Sequence, residues 1–130
     1  MRYIFGFMVL LFLSAASCKK RDKPPVIITS QLKIHVEVLH HAVPIPNALV
    51  MVKSGTSVFP GYSPSMYDKV FQCNAQGRVT IDVLGAGEHV FGSIGYDPME
   101  MDSVRGYRMM RVELLPGESK ELNLQIPVSE

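Results

Sequence analysis

The chain has 130 residues, 47% of them hydrophobic, and its 13 basic and 12 acidic residues leave a formal net charge of +1. This length suits one domain that can bury a core without cross-links. After residue 23 acidic residues outnumber basic ones. No basic stripe is available to neutralise a phosphate backbone, so the composition argues against nucleic-acid binding.

The N-terminal segment is typical of an export signal. Arg2 precedes an apolar run over 3–13, and small residues then lead to a cysteine in the order Ala15-Ala16-Ser17-Cys18. The run is shorter than the roughly 20 residues of a spanning helix but suits the apolar core of a signal peptide. The segment resembles the signal peptide of a bacterial lipoprotein, with Cys18 closing the lipobox.

That resemblance implies removal of residues 1–17 and lipidation of Cys18. An ordinary signal peptide with an incidental cysteine, and an uncleaved membrane anchor, are the alternatives. Lys19 rather than Asp follows Cys18, which in Gram-negative lipoproteins implies the outer membrane. The tether, residues 18–30, is basic and contains a Pro-Pro pair, so we expect it to be extended and to lie on the periplasmic side rather than on the cell surface.

The predicted domain covers residues 31–130, where apolar and polar residues alternate with the period of half-buried strands. Glycine-containing turns separate the runs, as at 74–77 and 85–87. Seven short strands of this kind predict an all-β, seven-stranded antiparallel β-sandwich. The alternation also places the side chains of Val36, Val50, Val52 and Ile81 in one core.

The turns and strands together resemble transthyretin-like domains, which include carboxypeptidase regulatory-like and collagen-adhesin B-type modules. The resemblance covers roughly 31–126 and implies a Greek-key fold. It rests on these segments: Val36-Glu-Val-Leu39, Pro46-Asn47-Ala48, Val50-Met-Val52, Asn74 to Ile81, Leu84 to Phe91 and Gly95-Tyr-Asp97. The chain departs from the family at Val43-Pro44, where a glycine is common, and at Asn74, where Asp is common.

The catalytic branch of that fold, the hydroxyisourate hydrolases, carries two motifs that this chain lacks. Glu37 and His40 stand at the positions of the family's His and Asp in the first strand. The chain ends in Pro127-Val-Ser-Glu130 rather than in Tyr-Arg-Gly-Ser. We therefore expect no enzymatic activity of this kind, and a hydrolase is only the third interpretation.

Several residue groups could carry chemistry, but none has a specific spacing. The histidines do not show the spacing of a zinc site. Histidines and methionines together could form a soft copper site; the alternative is that the histidines are solvated and the methionines pack in the core or in loops. Asp97, Glu100 and Asp102 lack the spacing of a calcium loop. We expect no metal and no cofactor. The residues of the copper alternative are His35, His40, His41 and His89 with Met99, Met101, Met109 and Met110.

Cysteine and aromatic residues leave further alternatives open. With Cys18 lipidated, Cys73 has no partner for an intramolecular disulfide, and we expect it to pack as a small hydrophobe on a strand rather than to act as a nucleophile. Phe59, Tyr62 and Tyr67 either stack on sugar rings or cap one end of the sandwich.

The sequence thus predicts a membrane-tethered, non-catalytic binding or scaffolding module of the cell envelope, with another envelope protein as its partner. A carbohydrate-binding accessory lipoprotein is the alternative. Antiparallel succession of strands places alternate loops at opposite ends. The end away from the tether is the predicted partner-binding end, and the Phe59–Tyr62 loop should lie nearer the lipid. That distal end contains His40, His41, Asp97, Met99, Glu100 and Met101.

Overall fold

The computed structural model describes residues 30–130, and these residues are nearly all β. The strands are β1 (Gln31–His40), β2 (Val43–Pro44), β3 (Leu49–Ser54), β4 (Lys69–Gln72), β5 (Arg78–Ile81), β6 (Gly87–Asp97), β7 (Asp102–Val112) and β8 (Ser119–Pro127), with a single 3₁₀ turn at Pro64–Met66. No helix in this part of the chain is long and apolar enough to cross a membrane. The predicted signal peptide and the lipidation site Cys18 lie outside the described residues.

The strands form two sheets of four. In the first sheet β1 pairs with β8 along one edge and with β5 and then β2 along the other. The second sheet has the order β4-β3-β6-β7 and is antiparallel throughout. The two sheets also meet at one side, where Arg105 of β7 and Ser129 exchange backbone hydrogen bonds.

The prediction of seven antiparallel strands differs from the structure in two respects. The short strand β2 adds an eighth, and β1 and β8 are parallel, from Gln31 opposite Ser119 to Leu39 opposite Pro127. The parallel pair arises because the chain leaves β7 in the second sheet and enters β8 in the first, so that β8 runs in the direction of β1. Alternating hydrophobicity identifies strands but not the sheet that each one joins.

The core lies between the sheets and follows the predicted register. Val36, Val50, Val52 and Ile81 are at most 1% exposed and belong to one cluster. The prediction that they share a core is confirmed. Cys73 is buried in the same cluster, one residue past β4.

A second, smaller core lies on the outer face of the second sheet. Met51 and Val90 point outward there and are covered by Tyr67, which returns from the long loop after β3. The Tyr67 hydroxyl donates a hydrogen bond to the Gly61 carbonyl at 2.7 Å, and its ring lies where a side chain at Gly92 would have to be. The loop therefore covers a sheet face.

The turns gather at the two ends of the molecule, called here the histidine end and the glycine end. The histidine end holds the β1–β2 turn (41–42), the β4–β5 turn (74–77) and the β6–β7 turn (98–101). The glycine end holds the start of the loop after β3, the turn before β6 (85–87) and the turn before β8 (116–118). β1 starts at the glycine end, where the Gln31 amide bonds the Glu118 carbonyl.

Candidate functional site at the histidine end

The β1–β2 turn presents two residues in an uncommon backbone conformation. His40 pairs with Val43, so the loop between them is the two-residue turn His41-Ala42. Both residues have positive φ, 52° and 66°. This is the type I′ hairpin turn, which strongly favours Asn-Gly, because a Cβ is disfavoured there. The structure therefore closes this segment as a tight hairpin.

The β6–β7 turn is also short. Asp97 pairs with Asp102, which leaves four residues in the turn. The Asp97 Oδ1 accepts hydrogen bonds from the amides of Met99 at 2.8 Å and Glu100 at 3.3 Å, a local bond typical of Asp in turns. Met101 then adopts a φ of 56°.

A buried ion pair joins the two turns. His40 Nδ1 lies 2.7 Å from Asp97 Oδ2, and the two side chains are only 2% and 5% exposed. The hydrogen bond to Asp97 is the main cause that raises the pKa of His40 above 6.5, against the effect of burial. The same bond is the main cause that lowers the pKa of Asp97 below 3.8, helped by the two turn amides. Both shifts favour the charged pair.

Two exposed side chains surround this pair. Glu100 places one carboxylate oxygen 3.9 Å from His40 Nδ1 and the other 3.9 Å from His41 Nε2. The two imidazole rings lie with their centroids 4.0 Å apart. The His41 and Glu100 side chains are 69% and 44% exposed. The three residues therefore form a cluster that is fixed at His40 and open to solvent at the other two.

The structure brings the six predicted partner-binding residues onto two neighbouring turns, but it gives them different environments. His40 and Asp97 are buried in their mutual pair and cannot contact a partner. His41 and Glu100 are exposed, and Met99 and Met101 are each 76% exposed. The pair itself was missed by the sequence reasoning. Its members are 57 residues apart, and no local pattern links them.

The aromatic residues of the long loop pack on the outer face of the second sheet. Phe59 stacks on Tyr107 of β7 with a centroid distance of 3.9 Å, and the Arg105 guanidinium lies 5.1 Å above the Tyr62 ring. These rings reach the middle of the sheet face, because Tyr107 pairs with Gly92 in the centre of the β6–β7 ladder. That the Phe59–Tyr62 loop lies nearer the lipid stays a prediction, since the tether lies outside the described residues. Tyr107 remains 43% exposed.

A shallow groove of about 650 Å³ adjoins this aromatic group. Leu49, Ile94, Tyr96 and Arg105 line it, together with the C-terminal Glu130. Tyr96 is 50% exposed. The groove continues the outer sheet face from the aromatic group toward the histidine end, because Tyr96 directly precedes Asp97.

The other residues that the sequence offered for metal binding or nucleophilic chemistry have structural roles. His89 is buried, with one ring nitrogen bonded to Ser54 Oγ and the other to the Gly85 carbonyl, both at 2.8 Å, so it keeps no nitrogen for a metal. His35 hydrogen-bonds Thr80 on the surface of the first sheet. Burial raises the pKa of the Cys73 thiol to about 11, which makes it a poor nucleophile.

The comparisons with known proteins add no assignment. No protein-family model and no curated protein matches the chain. Among solved structures, the chain is similar to one described as a crystal structure of (S)-allantoin synthase. The TM-score is 0.43 at 12% identity, over 79% of this chain and 44% of that one. The chain thus spans less than half of that structure. Such a likeness supports no statement about function.

Proposed function

We propose that this protein is a lipid-anchored, non-catalytic binding module of the bacterial cell envelope, with a transthyretin-like Greek-key domain. The observation that carries the proposal is the β6–β7 hairpin, whose tip exposes Met99 and Met101 at 76% each on a frame held by a buried ion pair. Methionine side chains adapt to varied apolar partners. The partner we propose is another envelope protein.

The direction of β1 supports the histidine end as the binding end. The tether enters β1 at the glycine end, and the ten residues of β1 then run to His40. At about 3.3 Å per residue, the histidine end lies about 30 Å farther along the chain direction. Anchoring at Cys18, on the outer membrane and facing the periplasm, would leave the Met99 and Met101 tip directed away from the lipid.

The absence of catalysis is part of the proposal. The Asp97 carboxylate accepts hydrogen bonds from His40 and two turn amides, so its role is to hold the turn rather than to transfer protons. Cys73, whose pKa is raised to about 11 by burial, is not poised to attack a substrate.

Photo-crosslinking in cells tests the binding end. A photoreactive residue at position 99 is compared with one at position 115, because Met99 and Leu115 are similarly exposed, at 76% and 71%, and lie at opposite ends. We expect protein adducts from position 99 only. Adducts from position 115 alone would contradict the proposed orientation.

The anchor requires its own test. Cys18→Ser should move the protein from the detergent phase to the aqueous phase, or leave the signal peptide uncleaved, because lipidation supplies the apolar chains that hold it in the membrane. A normally processed variant that still partitions into detergent would contradict lipid anchoring at Cys18.

Glycan binding is a second candidate, favoured by the exposed Tyr107 beside the groove. Aromatic rings of this exposure can stack on sugar rings. Affinity electrophoresis in gels containing soluble starch, xylan or glucomannan measures it. Tyr107→Ala should abolish any retardation, whereas Met109→Ala, on the same strand face and similarly exposed at 46%, should not. Equal migration of all variants in every gel rejects this candidate.

A further inference from the structure

We propose that His40, His41 and Glu100 form a binding site for a divalent transition metal ion such as Zn²⁺. Each of the three side chains offers one ligand atom, and these atoms all lie within 4.8 Å of one another. The site joins the β1–β2 turn of the first sheet to the β6–β7 turn of the second. It is independent of the identity of any partner.

The chemistry of the ligand set suits Zn²⁺. Two imidazoles and one carboxylate form the three-ligand set of open zinc sites, in which the fourth position is left for water or another ligand. Oxygen-preferring ions such as Ca²⁺ and Mg²⁺ take more ligands and avoid imidazole. Solvent can reach this cluster, because His41 is 69% and Glu100 is 44% exposed.

The separation of the two exposed ligand atoms is close to that in a formed site. With metal–ligand distances of about 2.0–2.1 Å, ligand atoms around a tetrahedral ion lie about 3.3 Å apart. The distance from His41 Nε2 to Glu100 Oε1 is 3.9 Å. Small rotations of these two exposed side chains can close the difference while His40 stays in place.

Asp97 supplies the support that metal-binding histidines usually have. Its carboxylate accepts a hydrogen bond from His40 Nδ1 at 2.7 Å, so Nε2 is the nitrogen of His40 that would bind the ion. Such a bond fixes the orientation of the ring and increases the basicity of the ligand. Asp97 is itself held by the amides of Met99 and Glu100. The turn that orients Asp97 is thus the turn that presents Glu100.

The backbone at His41 is a second, independent observation. A histidine with a φ of 52° in a type I′ turn is strained where Asn or Gly would be relaxed. Strain of this kind is often found at ligand sites, where the residue type is kept for its chemistry. Here the strained position is the one that carries an exposed imidazole to the cluster.

Zinc titration of the full-length protein in detergent tests the site, with a chromophoric chelator as competitor. We expect one equivalent of Zn²⁺ to bind with a dissociation constant of about 10 μM or tighter. His41→Ala and Glu100→Gln should each weaken binding at least about tenfold. His35→Ala is the matched control, because His35 also lies near a surface carboxylate, 3.7 Å from Glu121. The Zn²⁺ affinity of this variant should stay within about twofold of that of the unchanged protein.

Two outcomes would overturn the proposal. The first is a binding constant that His41→Ala and Glu100→Gln leave unchanged, or that His35→Ala weakens as much. The second is the absence of saturable binding. X-ray absorption at the zinc edge gives a separate readout: two imidazoles and oxygen should surround the ion, and a sulfur ligand or a single imidazole would contradict the site. His41 and Glu100 are exposed, so loss of folding does not confuse these results.

Discussion

The turns at the two ends of the domain both need residues with positive φ, but they use different residue types. At the glycine end the turn positions with positive φ are glycines, among them Gly55, Gly87 and Gly117. At the histidine end they include His41, Ala42 and Met101. Glycine adopts positive φ without steric cost, whereas other residues do so at a cost of about 1–2 kcal/mol. The first set of turns only reverses the chain, and the second also presents side chains.

The ends also differ in what surrounds their backbone. A Cβ added at Gly55 would meet nothing within 4 Å, but one added at Gly77 would lie 2.9 Å from the Ile45 carbonyl. The histidine end is therefore packed beneath its surface and strained at its surface. The buried pair of His40 and Asp97 lies at this end as well. We infer that packing below is what holds the displayed residues in place.

The largest expected effect breaks that packing. Gly77→Ala should lower the free energy of unfolding by about 3 kcal/mol, because the new Cβ has both an unfavourable φ and a backbone clash. Gly55→Ala shares the positive φ, at 83°, but has open space around it, so it should cost only about 1 kcal/mol. Urea unfolding of the two variants measures the difference. Equal losses would mean that the two ends are equally packed.

The expected cost of a core substitution can be compared with the costs of these two glycine substitutions. Val50→Ala should cost about 1–3 kcal/mol, because it removes buried methyl groups and leaves a void. Glu37→Ala, on the outer face of the neighbouring sheet, removes only a surface ion pair with Arg78 Nε at 2.8 Å and should cost under about 1 kcal/mol. Chemical denaturation of both variants checks this. A larger loss at Glu37 than at Val50 would contradict the register of the core.

The buried pair predicts a pH dependence that is specific to the histidine end. The pKa of His40 is raised above 6.5, so its stabilisation is complete below pH 6.5 and is lost as pH rises through the raised value. The pKa of Asp97 is lowered below 3.8, so its stabilisation is complete above pH 3.8 and is lost as pH falls through the lowered value. Glu100 and Glu130 add to the shift of His40.

The pair should therefore stabilise the fold most between pH 3.8 and 6.5. Unfolding of the unchanged protein and of Asp97→Asn, in buffer with EDTA, measures this across the range. The difference in the free energy of unfolding should be largest inside that window and smaller on both sides. A difference that keeps growing above pH 7 would show that His40 is not charged in the folded protein.

One substitution at the histidine end should increase stability. Ala42→Gly should raise the free energy of unfolding by about 0.5–1 kcal/mol, because glycine relieves the φ of 66° in the type I′ turn. The gain is reduced by the greater freedom of glycine in the unfolded chain. Thermal unfolding measures it, with Ala48→Gly as the control. Ala48 is fully buried, and its variant should lose stability. A loss at Ala42 would contradict strain in this turn.

Much of the strand layout was predictable from the sequence by itself. Alternation in β1 predicted that the side chain of Val36 faces the core, because the buried side chains of a strand with one buried face repeat every two residues. Turn residues such as Asn74 and Gly77 marked a chain reversal for a similar local reason. Burial of Cys73 was also predicted correctly.

Only the tertiary structure decided what those elements form together. The parallel pairing of β1 with β8 depends on which sheet β8 enters, and the contact of Phe59 with Tyr107 depends on how a long loop folds back. The pairing of His40 with Asp97 likewise joins turns from different sheets. Sequence patterns indicate which side chains of a strand are buried, over a few residues at a time. Charged pairs and ligand clusters are set by the packing of the sheets, which brings distant turns to the same end.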